Sequence, residues 1–283
     1  MKVKVLHPGS YSCILDLGRF HLRKYGVPSS GPMDVRSAMR SQTLVDNPIE
    51  YPIIEAFLSG LHLEFDEASL CSVSGGAADI FINNKLQTTT EQIHLNGGDT
   101  LKIGAMRSGA RSYLAIKGII QAPNILDSAC PINGYNDSRL VKNEVLQILP
   151  RSEKTISSGS LIKPVFIAPE APIIVRPGPE WILLEKDAQA SLLSKTYIIS
   201  STADRMGYRL EGENIAVSKK IEILSAPVLP GTVQLLPSGL PLILMKDCQT
   251  TGGYPRVLQV DDNSIIQLAQ RKSGDKVRFQ IAD

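Results

Sequence analysis

Apolar and polar residues alternate in short bursts along most of this chain. In the N-terminal half such runs predict strands over Val3–Leu6, Ile53–Ala56, Leu70–Val73, Ile80–Ile82, Thr100–Ile103 and Ser112–Ile116. The C-terminal half adds Ile173–Val175, Tyr197–Ile199, Ile221–Leu224, Val233–Leu236, Leu242–Met245, Val257–Val260 and Val277–Ile281. Turn-forming residues separate many of them: Ser74-Gly75-Gly76, Asn83-Asn84, Asn96-Gly97-Gly98, Pro237-Ser238-Gly239 and Ser273-Gly274. Repeated short strands punctuated in this way read as a sandwich or barrel, not as alternating strand and helix.

Helical signals are few. Pro32 suits a first helical position, and Met33–Val45 then runs without Gly or Pro. Glu180–Ser194 places Trp181, Leu184, Ala188, Leu192 and Leu193 near a helical period. Asp262–Ala269 reads as a short helix capped by Asp262 or Asn263. A polar stretch with scattered prolines, from Pro150 to Pro172, suggests a break near residue 165. It divides the chain into a β-rich 1–164 and a β-rich 165–283. Gly98-Asp99-Thr100-Leu101-Lys102-Ile103 echoes Gly274-Asp275-Lys276-Val277-Arg278-Phe279. Either two similar halves or one common turn-then-strand device accounts for that.

Composition narrows the function classes. At 283 residues the chain is about twice the usual ~150-residue domain. Thirty basic against 28 acidic residues leave a net charge of +2, which gives no reason to expect a nucleic-acid or membrane-surface partner. The N-terminus has no apolar signal core, and no run approaches a membrane span, so a cytoplasmic protein is expected. Cys13, Cys71, Cys130 and Cys248 lie far apart and read as buried free thiols. The four histidines show no ligand spacing, so no metal site is expected.

Four stretches carry candidate chemistry. Ser29 and Ser30 lead into a helix start with Asp34 in its first turn, and exposed N–H groups there suit a carboxylate or phosphate. The 201–212 stretch gathers Asp204, Arg205, Tyr208 and Arg209 around Gly207, and guanidinium forks grip carboxylates or related anions. Gln249, Thr250 and Thr251 precede Gly252-Gly253-Tyr254 at the end of an apolar strand, where neutral donors and acceptors meet backbone that a ligand can approach. Arg107 and Arg111 sit in a tight connection between two strands, pointing either into a cleft or from a hairpin tip. There is no G-x-x-x-x-G-K-[ST] loop, no G-x-S-x-G elbow and no Met-Lys-Met biotin-attachment context.

Taken together, several pieces resemble a known family. They are Asp16-Leu17-Gly18-Arg19, Gly26 to Asp34, Arg107 to Ala115, Arg176-Pro177-Gly178-Pro179, Asp204 to Gly212, Pro230-Gly231-Thr232-Val233-Gln234 and Gln249 to Pro255. In this order, over nearly the whole chain, the sequence is similar to allophanate hydrolase subunit 2, the biotin-dependent carboxyltransferase family. That family includes the C subunit of bacterial 5-oxoprolinase, Kip-type regulators of sporulation kinases and the carboxyltransferase module of urea carboxylase. Departures from the family pattern fall at Leu15, Phe20-His21, Asp127-Ser128-Ala129-Cys130 and Asn143-Glu144.

The resemblance implies a mainly β fold of two halves with cyclophilin-like barrels and a few short helices. It implies a hetero-oligomer with the 5-oxoprolinase B subunit (allophanate hydrolase subunit 1 type) and A subunit as partners. Together they open the 5-oxoproline lactam to L-glutamate. ATP would be used by the assembled complex. In that setting Arg205 and Arg209 are the candidate anion grips, and Asp204 is the candidate base or orienter. Tyr208 and Tyr254 are candidate proton or hydrogen-bond donors. Gln249, Thr250, Thr251, Ser29, Ser30, Asp34, Arg107 and Arg111 are candidate substrate contacts. Two alternatives stand beside this reading: carboxyl transfer from biotin to urea or a small amide, and a non-catalytic Kip-type regulator that binds a kinase inhibitor.

Overall fold

The computed structural model describes residues 1–87, 91–132, 135, 137–150, 170–216, 221 and 223–282. The chain divides into two compact units. The first comprises Met1–Arg19 and Asp34–Ile167; the second comprises Phe20–Met33 and Ala168–Asp283. The break expected near residue 165 lies outside the described residues. The excursion of Phe20–Met33 into the second unit has no signature in the hydrophobic pattern.

The first unit is one curled sheet. Its main path runs Tyr11–Leu15, Ile53–Phe57, Thr100–Ile116, Leu61–Phe65, Lys2–Pro8, Val145–Leu149 and Ile119–Ile120. Strand alternation sets the two faces: Val3, Val5, Leu61, Leu63, Phe65, Leu146 and Ile148 point into one core. The sequence pattern predicts four separate strands where the structure has two long ones, Ser69–Ile82 and Thr100–Ile116. Ser74-Gly75-Gly76 is therefore not a turn, and Arg107 and Arg111 lie within a strand rather than at a hairpin tip. The two strands pair along their length, with register shifts between Gly75 and Ile80. Gly76 permits the close approach, since a Cβ there would stand 2.9 Å from the Ser108 carbonyl oxygen.

Helix α1 (Val35–Leu44) covers the outer face of this sheet, where Ala38 and Val45 join Cys13, Leu15, Ile53, Tyr113 and Ala115. It begins three residues after Pro32. Asp34 caps it, accepting hydrogen bonds from the Ser37 N–H (3.0 Å) and the Ser37 hydroxyl (2.6 Å).

The second unit is an eight-stranded sheet that nearly closes. Its order begins with Lys276–Val277 and ends with Phe279–Ile281, strands separated only by Arg278. One pairs with Tyr197–Ile199 and the other, in parallel, with Ile173–Pro177. A bend at one residue thus joins the two ends of the sheet. Inside lie Ile173, Val175, Tyr197, Leu210, Val233, Ile243, Val257 and Phe279.

Helix α2 (Lys186–Ser194) and α3 (Asp262–Ala269) pack on this core through Ala188, Leu192, Ile265 and Leu268. The helix expected from Glu180 is broken. Trp181–Leu183 forms a 3-10 turn, and Leu184 and Glu185 are extended before α2 starts. The cap of α3 is Asp261, one residue earlier than expected, and it accepts from the Ser264 N–H at 2.6 Å. The run Ile221–Leu224 does not form a strand at its described residues, and Leu224 is 92% exposed. Among the described residues no strand pairs with it, and Ile221 packs against the second unit's core without joining a ladder.

All four cysteines are buried and free. Burial pushes the Cys71 thiol up to about 12 and the Cys130 thiol up to about 11. Among the described residues no helix is long and apolar enough to cross a membrane, and no cluster of side chains is arranged to hold a metal ion.

Candidate functional site

The second unit gathers three of the singled-out stretches around a carboxylate absent from the sequence-based candidates, Asp247. The strand Pro241–Leu244 pairs with Gly207–Glu211. That ladder continues past both strand ends: the Met245 N–H donates to the Met206 carbonyl, and the Asp247 N–H to the Arg205 carbonyl (both 2.9 Å). Arg205 and Asp247 are therefore fixed side by side. The guanidinium donates from Nε to Oδ2 (2.7 Å) and from Nη2 to Oδ1 (3.0 Å), a bidentate fork with little solvent access.

The same pair holds the Phe20–Met33 segment. Arg205 Nη2 donates to the Gly31 carbonyl (2.7 Å), and the Ser30 hydroxyl donates to Asp247 Oδ1 (2.6 Å). Ser30 reaches this position in a left-handed backbone conformation, with φ of 60°, followed by Gly31 at 101°. At the other end of the segment, Arg23 Nη2 donates to the carbonyls of Val228 and Gln249 (3.2 Å for the latter). Burial raises the pKa of the neighbouring Cys248 thiol, while Arg23 beside it acts in the opposite direction.

Beside this hub the outer face of the sheet is covered by a narrow strap. Ala226–Pro227 and Thr251–Gly252 form a ribbon of two residue pairs. Val228, Leu244 and Cys248 pack beneath it. A second ion pair ties one side: Arg256 donates from Nη2 to Glu180 Oε1 (2.6 Å), from Nε to Oε2 (2.9 Å) and from Nη1 to the Pro227 carbonyl (2.8 Å). Hydrogen bonding from Arg256 holds the Glu180 carboxyl below its ordinary value. Gln234, wholly buried, lies on this outer face, because its neighbours Val233 and Leu235 point into the core.

The family described as carboxyltransferase domain, subdomain A and B, matches residues 25–281. The chain belongs to the carboxyltransferase domain family. Within it, this carboxyltransferase-domain chain is 30% identical to the 5-oxoprolinase C subunit of Haemophilus influenzae, over 98% of this chain and 90% of that protein. It is 29% identical to the 5-oxoprolinase C subunit of Escherichia coli, with the same coverage. Urea amidolyase of Lachancea kluyveri is 27% identical over 98% of this chain, which spans 17% of that protein. The crystal structure of Kluyveromyces lactis urea carboxylase superimposes with a TM-score of 0.87 at 25% identity, covering 98% of this chain and 27% of that one.

The residues proposed from the carboxyltransferase-family sequence fall into distinct places. Arg205 does grip an anion, but that anion is the protein's own Asp247. The carboxylate that orients Arg205 is likewise Asp247 and not Asp204, whose Oδ1 accepts from the N–H groups of Met206 (2.7 Å) and Gly207 (3.1 Å) to close a turn. Tyr208 belongs to the hydrophobic core and is 2% exposed. Arg209, its neighbour in the strand, points the opposite way and is exposed.

Ser30 lies on the hub and Ser29 beside it is half-buried. Gln249 and Thr250 contribute their carbonyls, to Arg23 and to the Val228 N–H (3.1 Å) respectively. Thr251 is in the strap, and Tyr254 is 43% exposed next to it.

Asp34, Arg107 and Arg111 belong to the first unit. Asp34 is spent as the α1 cap. Arg107 is exposed and pairs with Asp79 at 3.3 Å. Arg111 is buried, 3.6 Å from Glu55 and 4.7 Å from the centre of the Phe57 ring. Tyr113 completes this network: its hydroxyl donates to Glu55 Oε2 (2.8 Å) and accepts from the Asp34 N–H (2.7 Å). Burial and the neighbouring Glu55 raise its pKa well above 10.

The departures from the family pattern are also built into local structure there. Asp16 accepts from the Ser128 hydroxyl (2.6 Å) and the Ala129 N–H (2.7 Å), while Arg19 donates to the carbonyls of Ile125 (3.0 Å) and Cys130.

Proposed function

We propose that this chain is the C subunit of an ATP-dependent 5-oxoprolinase, opening the 5-oxoproline lactam to L-glutamate together with the B and A subunits of that enzyme. One observation carries the reading: two proteins named as the 5-oxoprolinase C subunit match over 98% of this chain and 90% of their own length. An unstrained lactam needs its carbonyl activated before water can open it, and ATP would supply that activation in the assembled complex. At this hub Arg205 and Arg256 are already occupied by Asp247 and Glu180, and Arg23 donates to the carbonyls of Val228 and Gln249. The described residues therefore do not fit ATP at this hub, and no step on ATP is assigned to this chain.

Its own contribution, in this reading, is to hold the neutral amide end of the substrate. The Gln249–Tyr254 loop is the ligand-facing element. Arg23, Asp247 and the Glu180–Arg256 pair fix that loop and the strap beside it. Positioning of this kind lowers the barrier by presenting the bond in an attackable orientation. The test is co-expression with the other subunits and measurement of ATP-dependent glutamate release from 5-oxoproline. An assembly that forms but releases no glutamate rejects the reading.

Carboxyl transfer is the second reading, favoured by the family description and by the urea amidolyase relative. Biotin would arrive on another polypeptide. Labelled bicarbonate separates the two, because transfer places the label in the product and lactam hydrolysis does not.

A further inference from the structure

In the strap region Arg23 Nη1 and Gln234 Oε1 are buried with no hydrogen-bond partner among the described residues, and of the two the acceptor is that of Gln234. Gln234 is 0% exposed. Its Nε2 donates to the Tyr254 carbonyl at 3.2 Å. That bond fixes the orientation of the carboxamide, since the oxygen in the same place would oppose a carbonyl. Oε1 is then buried, and among the described residues no group donates to it. Burying an acceptor without a donor is costly, and a leucine between Val233 and Leu235 would avoid the cost.

The strap lies directly over this carboxamide. A Cβ on Gly252 would stand 2.5 Å from Gln234 Nε2 and 3.4 Å from Val228 Cγ1. A side chain at this position would push the carboxamide aside. The covering ribbon has only two residue pairs, Ala226 with Gly252 and Pro227 with Thr251, and it continues into Gly253. Lifting it uncovers a planar group with an acceptor and a second N–H on one edge.

We propose that Gln234 recognises a cis amide, an N–H and a C=O presented on the same edge of a small ring. Oε1 accepts the ligand N–H while Nε2 donates to the ligand C=O, and Gly252 closes over the pair. A trans peptide cannot present both groups on one edge, so ordinary peptides are excluded. Two ligands share the required chemistry: a γ-lactam such as 5-oxoproline, and a cyclic urea such as the ureido ring of biotin. Of the guanidiniums nearby, Arg205 and Arg256 are closed by Asp247 and Glu180 and Arg23 donates to the Val228 and Gln249 carbonyls, while the group beneath the strap is an uncharged carboxamide, which suits a neutral edge. This inference rests on the proposed function for its ligand class and deepens it.

The test is calorimetric titration of the full chain with L-5-oxoproline and, separately, with biotin, alongside N-methyl-5-oxoproline and proline. The wild-type chain binds the lactam, the cyclic urea or both. Proline and the N-methylated lactam bind at least tenfold more weakly than 5-oxoproline where the lactam is the ligand. Gln234→Leu weakens the bound ligand at least tenfold while leaving the unfolding midpoint unchanged or raised. Gly252→Ala, whose methyl group displaces the carboxamide, also weakens it and serves if the leucine variant does not fold.

Lactam binding lost in these variants identifies the lactam source, and biotin binding lost identifies the ureido source. Binding of neither ligand by the wild-type chain, equal binding of the N-methylated lactam, or undiminished binding in folded Gln234→Leu overturns the proposal. The reaction is judged separately. Glutamate release that persists at the wild-type rate in an assembly carrying Gln234→Leu rejects the amide site and keeps the reaction. Gln234-dependent lactam binding without glutamate release from the wild-type assembly does the reverse.

Discussion

Replacing Asp247 by alanine should loosen the second unit more than any other single change at the hub. The carboxylate accepts three hydrogen bonds from two side chains, Arg205 and Ser30, and lies largely out of solvent. Removing it takes two charge-assisted hydrogen bonds from a half-buried guanidinium, which keeps its bond to the Gly31 carbonyl. Breaking one partner of such a pair costs about 3–5 kcal/mol when fully buried. Residual exposure of both partners brings the expectation down to about 3 kcal/mol.

Asp247→Asn keeps one acceptor and should cost about half as much, and Ser30→Ala about 1 kcal/mol. The assay is urea unfolding followed by the fluorescence of Trp181, the single tryptophan, which packs against the second unit's core. Combining Asp247→Ala with Arg205→Ala gives a double-mutant cycle, for which the geometry predicts a coupling of about 2 kcal/mol. A coupling within about 0.5 kcal/mol of zero would show that the fork does not stabilise the unit, and the account of the hub would fall.

Further expectations follow from other residues. Native protein should leave Cys13, Cys71, Cys130 and Cys248 unreactive toward Ellman's reagent at neutral pH, with all four titrating in denaturant; prompt reaction of any one of them in the native state contradicts its burial. Glu180 has a lowered carboxyl pKa, so its stabilisation is present above the unfolded value of 4.5 and is lost as pH falls through the folded one. The stability gap between wild type and Glu180→Gln, read by Trp181 fluorescence, should therefore close on acidification. Gly178→Ala should destabilise the second unit by about 1–3 kcal/mol, because its Cβ would stand 2.2 Å from the Arg256 carbonyl oxygen, which is backbone and cannot swing aside. Tyr113→Phe removes one hydrogen bond from the buried Glu55 and one from the Asp34 N–H, and should cost about 1–3 kcal/mol in thermal unfolding of the first unit.

The strands were readable because alternation is a local signal that tertiary structure rarely overrides when one face is buried. Twelve runs of that kind became strands or parts of strands, whereas Ile221–Leu224 lacked a partner among the described residues. The gaps between runs were less informative. Glycines at 75 and 76 look like a turn in sequence, yet they serve as the point where two long strands bend together.

The internal echo resolves into a shared turn. In each unit a left-handed Gly precedes an Asp whose Oδ2 accepts from the N–H three residues back: Asn96 to Asp99 (2.7 Å) and Lys272 to Asp275 (2.8 Å). Candidate site residues were harder, because residue type does not reveal a partner. Asp204 and Asp247 are both acids near Arg205 in the fold, and only the strand pairing shows that the distant one reaches it. Gln234 did carry a signal: a polar residue between Val233 and Leu235 in a strand that is buried throughout.

The burial of charge on charge in the second unit bears on which ligands it can take. Arg205 with Asp247 and Arg256 with Glu180 form two forks, each closed by its own carboxylate. A ligand with two negative charges would have to displace a carboxylate already bound at 2.6–2.7 Å, losing one charge-assisted contact for each it makes. A neutral amide incurs no such exchange. It needs only the donor and acceptor of Gln234, whose acceptor has no protein donor among the described residues. On this argument the forks are scaffolding that holds the Gln249–Tyr254 loop and the strap in register, and discrimination comes from the uncharged group beneath them. If the forks were instead the grip, inorganic phosphate or ATP would protect the second unit against urea, and Gln234→Leu would leave ligand binding intact.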